Sequence, residues 1–108
     1  MYIPDKGDIV SLNFDPSAGS EIMKHRPALV ISRKNFNEHT GFAIIAPITS
    51  TKRGMALEVI LSGTSTQGVI LVHQLRSLDV HSRGIKFIEK APESITEKAT
   101  KMAIVIIQ

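Results

Sequence analysis

The side chains most able to do polar chemistry are concentrated in residues 19–27, which read GSEIMKHRP. Within this segment Arg26 precedes Pro27, and a proline restricts the residue before it to an extended conformation. A guanidinium fixed at the end of a strand can bind a phosphate through paired hydrogen bonds. From residue types alone, however, the favoured interpretation is a solvated loop that carries an ordinary surface arginine.

Two other positions could contribute a hydroxyl or an imidazole. Thr49 ends an apolar stretch beside Ser50 and Thr51. Its hydroxyl could donate to a phosphate oxygen, although such residues more commonly close strands through local backbone bonds. His73 lies where another apolar stretch turns polar, and histidine titrates near neutral pH, so it could act as an acid or a base. A lone histidine is nevertheless more often structural.

The pattern of potential ligands argues against several other kinds of site. No glycine-rich phosphate loop precedes a helix, and the four histidines are scattered rather than placed at metal-ligand spacing. The ten Asp and Glu residues form no cluster along the chain. An enzyme with this sequence is therefore expected to be metal-independent and to need no cofactor. The absence of cysteine excludes disulfides and is compatible with a reducing compartment.

Length and composition predict a single domain over residues 1–108, with 43% hydrophobic residues and a net charge of +3. The mild basic excess permits an anionic partner, and Lys24, Lys52 and Arg53 could follow a nucleic-acid backbone. Five aromatic residues are too few for extensive base stacking. The first residues do not resemble a signal peptide, and no apolar run approaches the roughly 20 residues that cross a bilayer. A cytoplasmic, soluble protein without a membrane segment is expected.

Short apolar stretches between Pro and Gly residues predict strands rather than long helices. Residues 15–25 are predicted to form a long loop, and residues 33–39 one helical turn. Pro47 marks a bend or an edge, because it cannot donate a ladder bond. The predicted strands are residues 7–14, 27–32, 41–49, 57–61, 69–72, 75–80 and 85–89.

The last part of the chain predicts one amphipathic helix. Ser94 and Glu97 have the spacing of a capping box. Beyond them Ile95, Ala99, Met102 and Ile106 recur at helical spacing and are predicted to face the core. Several short strands followed by one helix predict a mainly β fold, either a small barrel or two curled sheets with a helix packed on one side.

An ordered series of short motifs extends over nearly the whole chain. Each motif is weak alone, but together they resemble the MazF/PemK/ChpB family of type II toxin-antitoxin endoribonuclease toxins. The motifs are PDKGDIV (4–10), FDP (14–16), GSE (19–21), HRPALV (25–30), PITS (47–50), EV (58–59), GVIL (68–71), QLRSLD (74–79) and APE (91–93).

The resemblance implies an SH3-like barrel of curved antiparallel strands with a C-terminal helix, assembled as a homodimer. It also implies a sequence-specific, metal-independent mRNA interferase that cuts single-stranded RNA. The 2′-hydroxyl would attack the phosphate, leaving a 2′,3′-cyclic phosphate and a 5′-hydroxyl. The implied partner is a cognate antitoxin with an acidic flexible tail, and DNA would be contacted only through the antitoxin complex.

The resemblance carries catalytic roles onto Arg26 and Thr49. Arg26 would bind the scissile phosphate and Thr49 would donate a hydrogen bond to the same oxygens. The residues expected to contact RNA are Ser20, Glu21, Lys24, His25, His73 and Gln74.

The general base stays open at this point. Many relatives carry an acidic residue immediately before the Gln of the Gln-x-Arg/Lys segment, whereas this chain has His73. The base could be His73, Glu21 or His25.

Two alternatives share the predicted fold. One is a gyrase-poisoning toxin of the CcdB type, against which Arg26-Pro27 and Thr49 argue because they belong to the ribonuclease branch. The other is a non-catalytic RNA-binding barrel. Fold alone does not separate these functions.

Overall fold

The structure is a computed structural model that describes residues 1–22, 24–51, 54 and 56–108. Seven strands, two α-helices and one 3₁₀ turn account for its regular elements. None of the described helices is long and apolar enough to span a membrane. The elements are β1 (Asp8–Asn13), β2 (His25–Val30), α1 (Lys34–Thr40), β3 (Phe42–Thr49), β4 (Glu58–Ile60), β5 (Val69–Leu71), the 3₁₀ turn (Val72–Gln74), β6 (Arg76–Asp79), β7 (Lys86–Lys90) and α2 (Glu93–Ile107).

The strands form one antiparallel sheet in the order β4-β5-β3-β2-β1-β7, with β6 also paired to β3. Strand β3 divides between two partners on one of its edges. Its first half, from Phe42 to Ile45, pairs with β6, and its last two residues, Ile48 and Thr49, pair with β5. Pro47 falls between these two stretches, where this edge of β3 changes its partner strand. The 3₁₀ turn carries the chain from β5 across this gap to β6.

Alternation along the strands divides the core between the two faces of the sheet. Helix α2 packs on one face, against what we call the helix-side cluster: Ile9, Leu29, Ala46, Ile48, Val59, Leu61, Ile70, Val72, Ala91, Ile95, Ala99 and Ala103. The other face curls over what we call the loop-side cluster: Val10, Leu12, Phe14, Ile22, Ala28, Val30, Ala43, Ile45, Val69, Leu71, Leu78 and Val80.

The sheet curls, but β4 and β7 remain its two end strands rather than closing a ladder. A side chain connects the two ends instead. The Glu89 carboxylate in β7 accepts hydrogen bonds from the backbone N–H groups of Ser65 (3.0 Å) and Thr66 (2.7 Å) and from the Thr66 hydroxyl (2.8 Å), in the loop between β4 and β5. The predicted mainly β fold with a C-terminal helix is thus confirmed, as a curled open sheet.

The start of α2 differs from its prediction. The helix begins at Glu93 with Pro92 in the N-cap position, and no side chain caps it. Ser94 therefore lies inside the first turn rather than at the N-cap position, so it cannot form a capping box with Glu97. The predicted capping box is wrong. The proline carbonyl instead accepts the N–H groups of Ile95 and Thr96, both at 3.1 Å.

The end of α2 also differs. Ile95 and Ala99 are buried and Met102 packs against the helix-side cluster, as predicted. Ile106, however, is 43% exposed, so its assignment to the core is wrong. The physical reason is that Ala103 is the last residue of α2 in the helix-side cluster, so the final turn lies beyond the part of the helix that this core supports. Every residue of that turn is exposed, from Ile104 to Ile107.

Candidate functional site

The register between β2 and β3 determines where Arg26 and Thr49 lie. Ala28 pairs with Pro47 and Leu29 with Ala46, so two further steps of the same register set Arg26 opposite Thr49. Both side chains project on the loop-side face, because Arg26 pairs with Leu12 across β1 and Thr49 pairs with Val69 across β5. Opposite residues on one face are neighbours. The register thus places the two predicted catalytic residues at the same end of the loop-side face.

Thr49 is held tightly in this position. It is 5% exposed, and its hydroxyl oxygen accepts a hydrogen bond of 3.2 Å from the backbone N–H of Thr51. A hydroxyl can accept and donate at once, so this bond leaves the Thr49 proton for a phosphate oxygen. The arrangement matches a donor that is fixed before a ligand arrives.

Between β1 and β2 the structure describes a folded loop, residues 15–22 and 24, which we call the β1–β2 loop. At its base the Phe14 N–H donates to the Lys24 carbonyl (2.9 Å), and the Lys24 N–H donates to the Asp15 carboxylate (2.9 Å). Ile22 anchors the loop, since it is 6% exposed and belongs to the loop-side cluster. Glu21 accepts the Ala18 N–H at 2.7 Å, so one of its carboxylate oxygens stabilises the loop itself.

The 3₁₀ turn carries His73 and Gln74, and Gln74 contacts the loop. The Gln74 side-chain oxygen accepts the Ile22 N–H at 2.8 Å, and its amide nitrogen lies 3.5 Å from the Ser20 carbonyl oxygen as donor. His73 is half-buried, and its Nδ1 is enclosed without a hydrogen-bond partner among the described residues. Proton exchange with a ligand would therefore use the other ring nitrogen, Nε2.

Apart from His73, described above, the residues predicted to contact RNA fall into two groups. Ser20, Glu21 and Gln74 are connected through the loop, and Lys24 and His25 follow as exposed residues where the loop enters β2. The basic residues Lys52 and Arg53 lie outside the described residues. Within the described part of the chain, no three His, Asp or Glu side chains gather as a potential metal site.

Sequence reasoning missed Arg76 and Arg83. Arg76 Nη1 donates to the Phe14 carbonyl (3.2 Å) and to the Ser17 hydroxyl (3.4 Å), and its guanidinium lies 6.0 Å from the centre of the Phe14 ring. Arg83 Nη1 donates to the carbonyls of Asp15 (2.5 Å) and Asn13 (3.4 Å). The available signal for Arg76 was its place two residues after Gln74, at the start of a predicted strand.

The sequence and the fold are similar to those of the same kind of protein, the MazF and ChpB toxins. MazF, an endoribonuclease toxin of Escherichia coli strain K12, is 39% identical over 106 residues, covering 97% of this chain and 96% of the relative. ChpB, an endoribonuclease toxin of the same organism, is 37% identical over 101 residues, covering 88% of this chain and 86% of the relative. The crystal structure of MazF from Deinococcus radiodurans superposes with a TM-score of 0.94 at 36% identity, covering 99% of this chain and 98% of that one.

A family model agrees with these similarities over almost the full length. Residues 5–107 match the model described as PemK-like, MazF-like toxin of type II toxin-antitoxin system. The match includes every element from β1 to α2. The chain therefore belongs to the PemK-like, MazF-like family of toxins of type II toxin-antitoxin systems.

Proposed function

We propose that this protein is a metal-independent endoribonuclease toxin that cuts single-stranded RNA within short sequence motifs. The observation that carries the proposal is the β2–β3 register, which sets Arg26 opposite Thr49 on one face of the sheet. The relatives MazF and ChpB of Escherichia coli are named endoribonuclease toxins. A cation and a fixed hydroxyl donor side by side are suited to hold one phosphate group.

The chemistry uses a nucleophile that the substrate supplies. The 2′-oxygen of the RNA loses its proton to a base and bonds to the adjacent phosphorus, and the bond from phosphorus to the 5′-oxygen breaks. The leaving 5′-oxygen takes up a proton, so the products are a 2′,3′-cyclic phosphate and a 5′-hydroxyl. Arg26 neutralises the charge that builds on the phosphate oxygens, and Thr49 donates to one of them.

We propose His73 as the general base. Of the three candidates, Glu21 already uses a carboxylate oxygen to accept the Ala18 N–H, and His25 lies exposed at the start of β2. His73 is half-buried on the 3₁₀ turn. The residue after it, Gln74, contacts the loop that holds Ser20 and Glu21. Its enclosed Nδ1 directs proton transfer to Nε2.

The proposal extends to assembly and partners. Residues 1–108 act as a single cytoplasmic domain and pair as a homodimer, with the exposed apolar end of α2 as part of the contact. A cognate antitoxin with an acidic, flexible tail covers the RNA site, and DNA is contacted only through that complex. Support for the antitoxin comes from a crystal structure of MazE–MazF from Deinococcus radiodurans. The chain matched in that structure is 36% identical to this one and superposes with a TM-score of 0.87.

The test is cleavage of a long single-stranded RNA by purified protein. Arg26→Ala and Thr49→Val are each expected to reduce the rate by about 10²–10³-fold, as loss of one transition-state donor does. Thr49→Ser keeps the hydroxyl and should retain most activity. Arg33→Ala removes an exposed arginine at the start of α1 and is the matched control. Folded protein that leaves RNA intact but traps gyrase on DNA would overturn the proposal.

A further inference from the structure

We propose that Gln74 and Arg76 are positioning residues that fix the described part of the β1–β2 loop, residues 15–22 and 24, in its RNA-binding shape and so help to set which RNA sequences are cut. This inference rests on the proposed function for its link to RNA. The two side chains come from the 3₁₀ turn and the first residue of β6, more than 50 positions along the chain from the atoms they bind.

Gln74 satisfies a donor that the loop cannot satisfy itself. Ile22 is 6% exposed, and its backbone N–H donates to the Gln74 side-chain oxygen at 2.8 Å. A buried N–H without a partner is destabilising, so this bond favours the observed loop conformation over others. The amide nitrogen of the same side chain reaches towards the Ser20 carbonyl, at 3.5 Å. Both hydrogen-bonding groups of Gln74 are thus directed at the loop backbone.

Arg76 stabilises the beginning of the same loop. Its Nη1 donates to the Phe14 carbonyl at 3.2 Å and to the Ser17 hydroxyl at 3.4 Å. The Ser17 hydroxyl itself donates towards the carbonyl oxygens of Phe14 (2.9 Å) and Ile22 (2.7 Å). The two ends of the loop are therefore both attached to the segment formed by the 3₁₀ turn and β6, through Gln74, Arg76 and Ser17.

Gln74 and Arg76 are in turn attached to β3, the strand that carries Thr49. Arg76 pairs with Ile45 of β3, and the 3₁₀ turn follows directly after β5, which pairs with Thr49 at the other end of β3. The positions of Ser20 and Glu21 are consequently fixed relative to the Thr49 hydroxyl before RNA binds. A loop that is already ordered loses less conformational freedom on binding, which strengthens binding and limits the sequences that fit.

A direct contact and a positioning role make different predictions for the protein without RNA. We would compare Gln74→Ala, Gln74→Glu, Arg76→Lys and the control Gln67→Ala, which changes an exposed glutamine in the β4–β5 connector. Amide hydrogen exchange of residues 15–24 would be measured without RNA. KM, kcat and the cleavage profile on a randomised RNA pool would be measured separately.

Positioning predicts that Gln74→Ala and Arg76→Lys each speed exchange of the Ile22 amide about tenfold or more, with little change in β3. It also predicts a KM increase of about tenfold, a smaller change in kcat and a broader cleavage profile. Gln74→Glu keeps the acceptor for Ile22 and should retain slow exchange, and Gln67→Ala should match the wild type. The double variant Gln74→Ala/Arg76→Lys should raise the exchange rate and KM by less than the product of the two single effects, because both residues act on one loop.

Unchanged exchange in Gln74→Ala together with a raised KM would overturn the inference, because it would assign Gln74 to direct RNA contact. Should Gln74→Ala fail to fold, Arg76→Lys carries the same comparison, with Gln74→Glu as its control: unchanged Ile22 exchange in Arg76→Lys together with a raised KM would equally overturn the inference. Cleavage by the wild-type protein tests the proposed function separately. If the wild type does not cleave RNA, the proposed function fails, while faster Ile22 exchange in Gln74→Ala and Arg76→Lys would still show that these residues position the loop.

Discussion

Gly68 lies against the carbonyl group of Thr49, so closely that a Cβ at position 68 would come 2.8 Å from the Thr49 carbonyl carbon. Its φ of +129° is also a conformation that side-chain-bearing residues rarely adopt. Glycine at this point allows the start of β5 to pack directly on the end of β3. The position of the Thr49 hydroxyl thus depends on a residue that carries no functional group.

Gly68→Ala is therefore expected to displace Thr49. Strain and steric overlap should lower the free energy of unfolding by about 1–3 kcal/mol and reduce RNA cleavage at least tenfold. Gly63→Ala is the matched control in the same connector, because it also has positive φ but its Cβ would meet only Pro92, at 3.9 Å. Urea denaturation and a cleavage assay check this, and equal effects of the two variants would contradict it.

The Glu89 contact between the two ends of the sheet predicts a dependence of stability on pH. The hydrogen bond from the Ser65 N–H, followed by those from Thr66, lowers the pKa of the Glu89 carboxyl below its ordinary 4.5. A lowered folded-state pKa stabilises the protein above the unfolded-state value, and that stabilisation is lost as pH falls through the folded-state value. Wild type should therefore exceed Glu89→Gln in stability at pH 7.

The difference between wild type and Glu89→Gln should shrink steadily as the pH is lowered below 4.5. Thermal unfolding across this pH range provides the measurement. Glu97→Gln, which removes one charge from the exposed side of α2, controls for charge alone. A stability difference that persists unchanged at low pH would show that Glu89 does not connect β7 to the β4–β5 loop through its ionised form.

Tyr2 offers a direct probe of the N-terminal region, because it is the only tyrosine and the chain has no tryptophan. Burial first, then its hydrogen bond of 2.6 Å to the Asp8 carboxylate, raises the pKa of Tyr2 well above 10.0. The unfolded chain ionises first, so this contribution to stability is present below pH 10.0 and declines above it. Absorbance of the phenolate should thus appear only well above pH 10.0 in folded protein.

Asp8→Asn removes the charge that opposes ionisation of Tyr2 and should bring its titration to lower pH. It should also cost about 1–3 kcal/mol of stability, since Asp8 is 6% exposed and accepts bonds from Tyr2, the Asp5 N–H and Lys90. Asp5→Asn is the neighbouring comparison: the Asp5 charge also raises the pKa of Tyr2, but less than Asp8 does, so it should lower the titration by less. An identical Tyr2 titration in wild type and Asp8→Asn would contradict the assigned cause.

The exposed apolar turn at the end of α2 predicts the assembly state. Val105 and Ile107 are 72% and 74% exposed, so a charge at either position disturbs no core residue. Val105→Glu should weaken the proposed homodimer at least tenfold, as substitutions at the centre of an interface do. Phe36→Glu alters another exposed apolar residue, on α1, and should leave assembly unchanged. Sedimentation equilibrium checks this, and a monomeric wild type would contradict it.

Local patterns were sufficient to predict most of the fold. Alternation predicted β1, and the mixture of short strands with one final helix predicted the class, because those features depend on neighbouring residues. The capping box failed because Pro92, two residues before Ser94, sets the helix start. The burial of Ile106 failed because periodicity does not say where the supporting sheet ends.

The site was predictable only in its parts. Arg26 and Thr49 were identified through motif resemblance, but their juxtaposition depends on strand register, which no local pattern specifies. That Gln74 contacts RNA stays a prediction, and no local pattern indicated that its side-chain oxygen accepts the backbone N–H of Ile22, 52 residues away. Contacts between such distant residues follow from the pairing of β3 with β5 and β6, and composition carries no sign of them.

The most direct test of the central claim uses one RNA in two forms, both in EDTA. One is all-ribose, and the other has a single 2′-deoxyribose on the 5′ side of the mapped cleavage position. We expect the wild-type protein, but not Arg26→Ala, to cut the all-ribose RNA to a 2′,3′-cyclic phosphate and a 5′-hydroxyl, and to leave the deoxy-substituted RNA intact. Cleavage of the deoxy-substituted RNA, or loss of all cleavage in EDTA, would contradict metal-free attack by the 2′-hydroxyl.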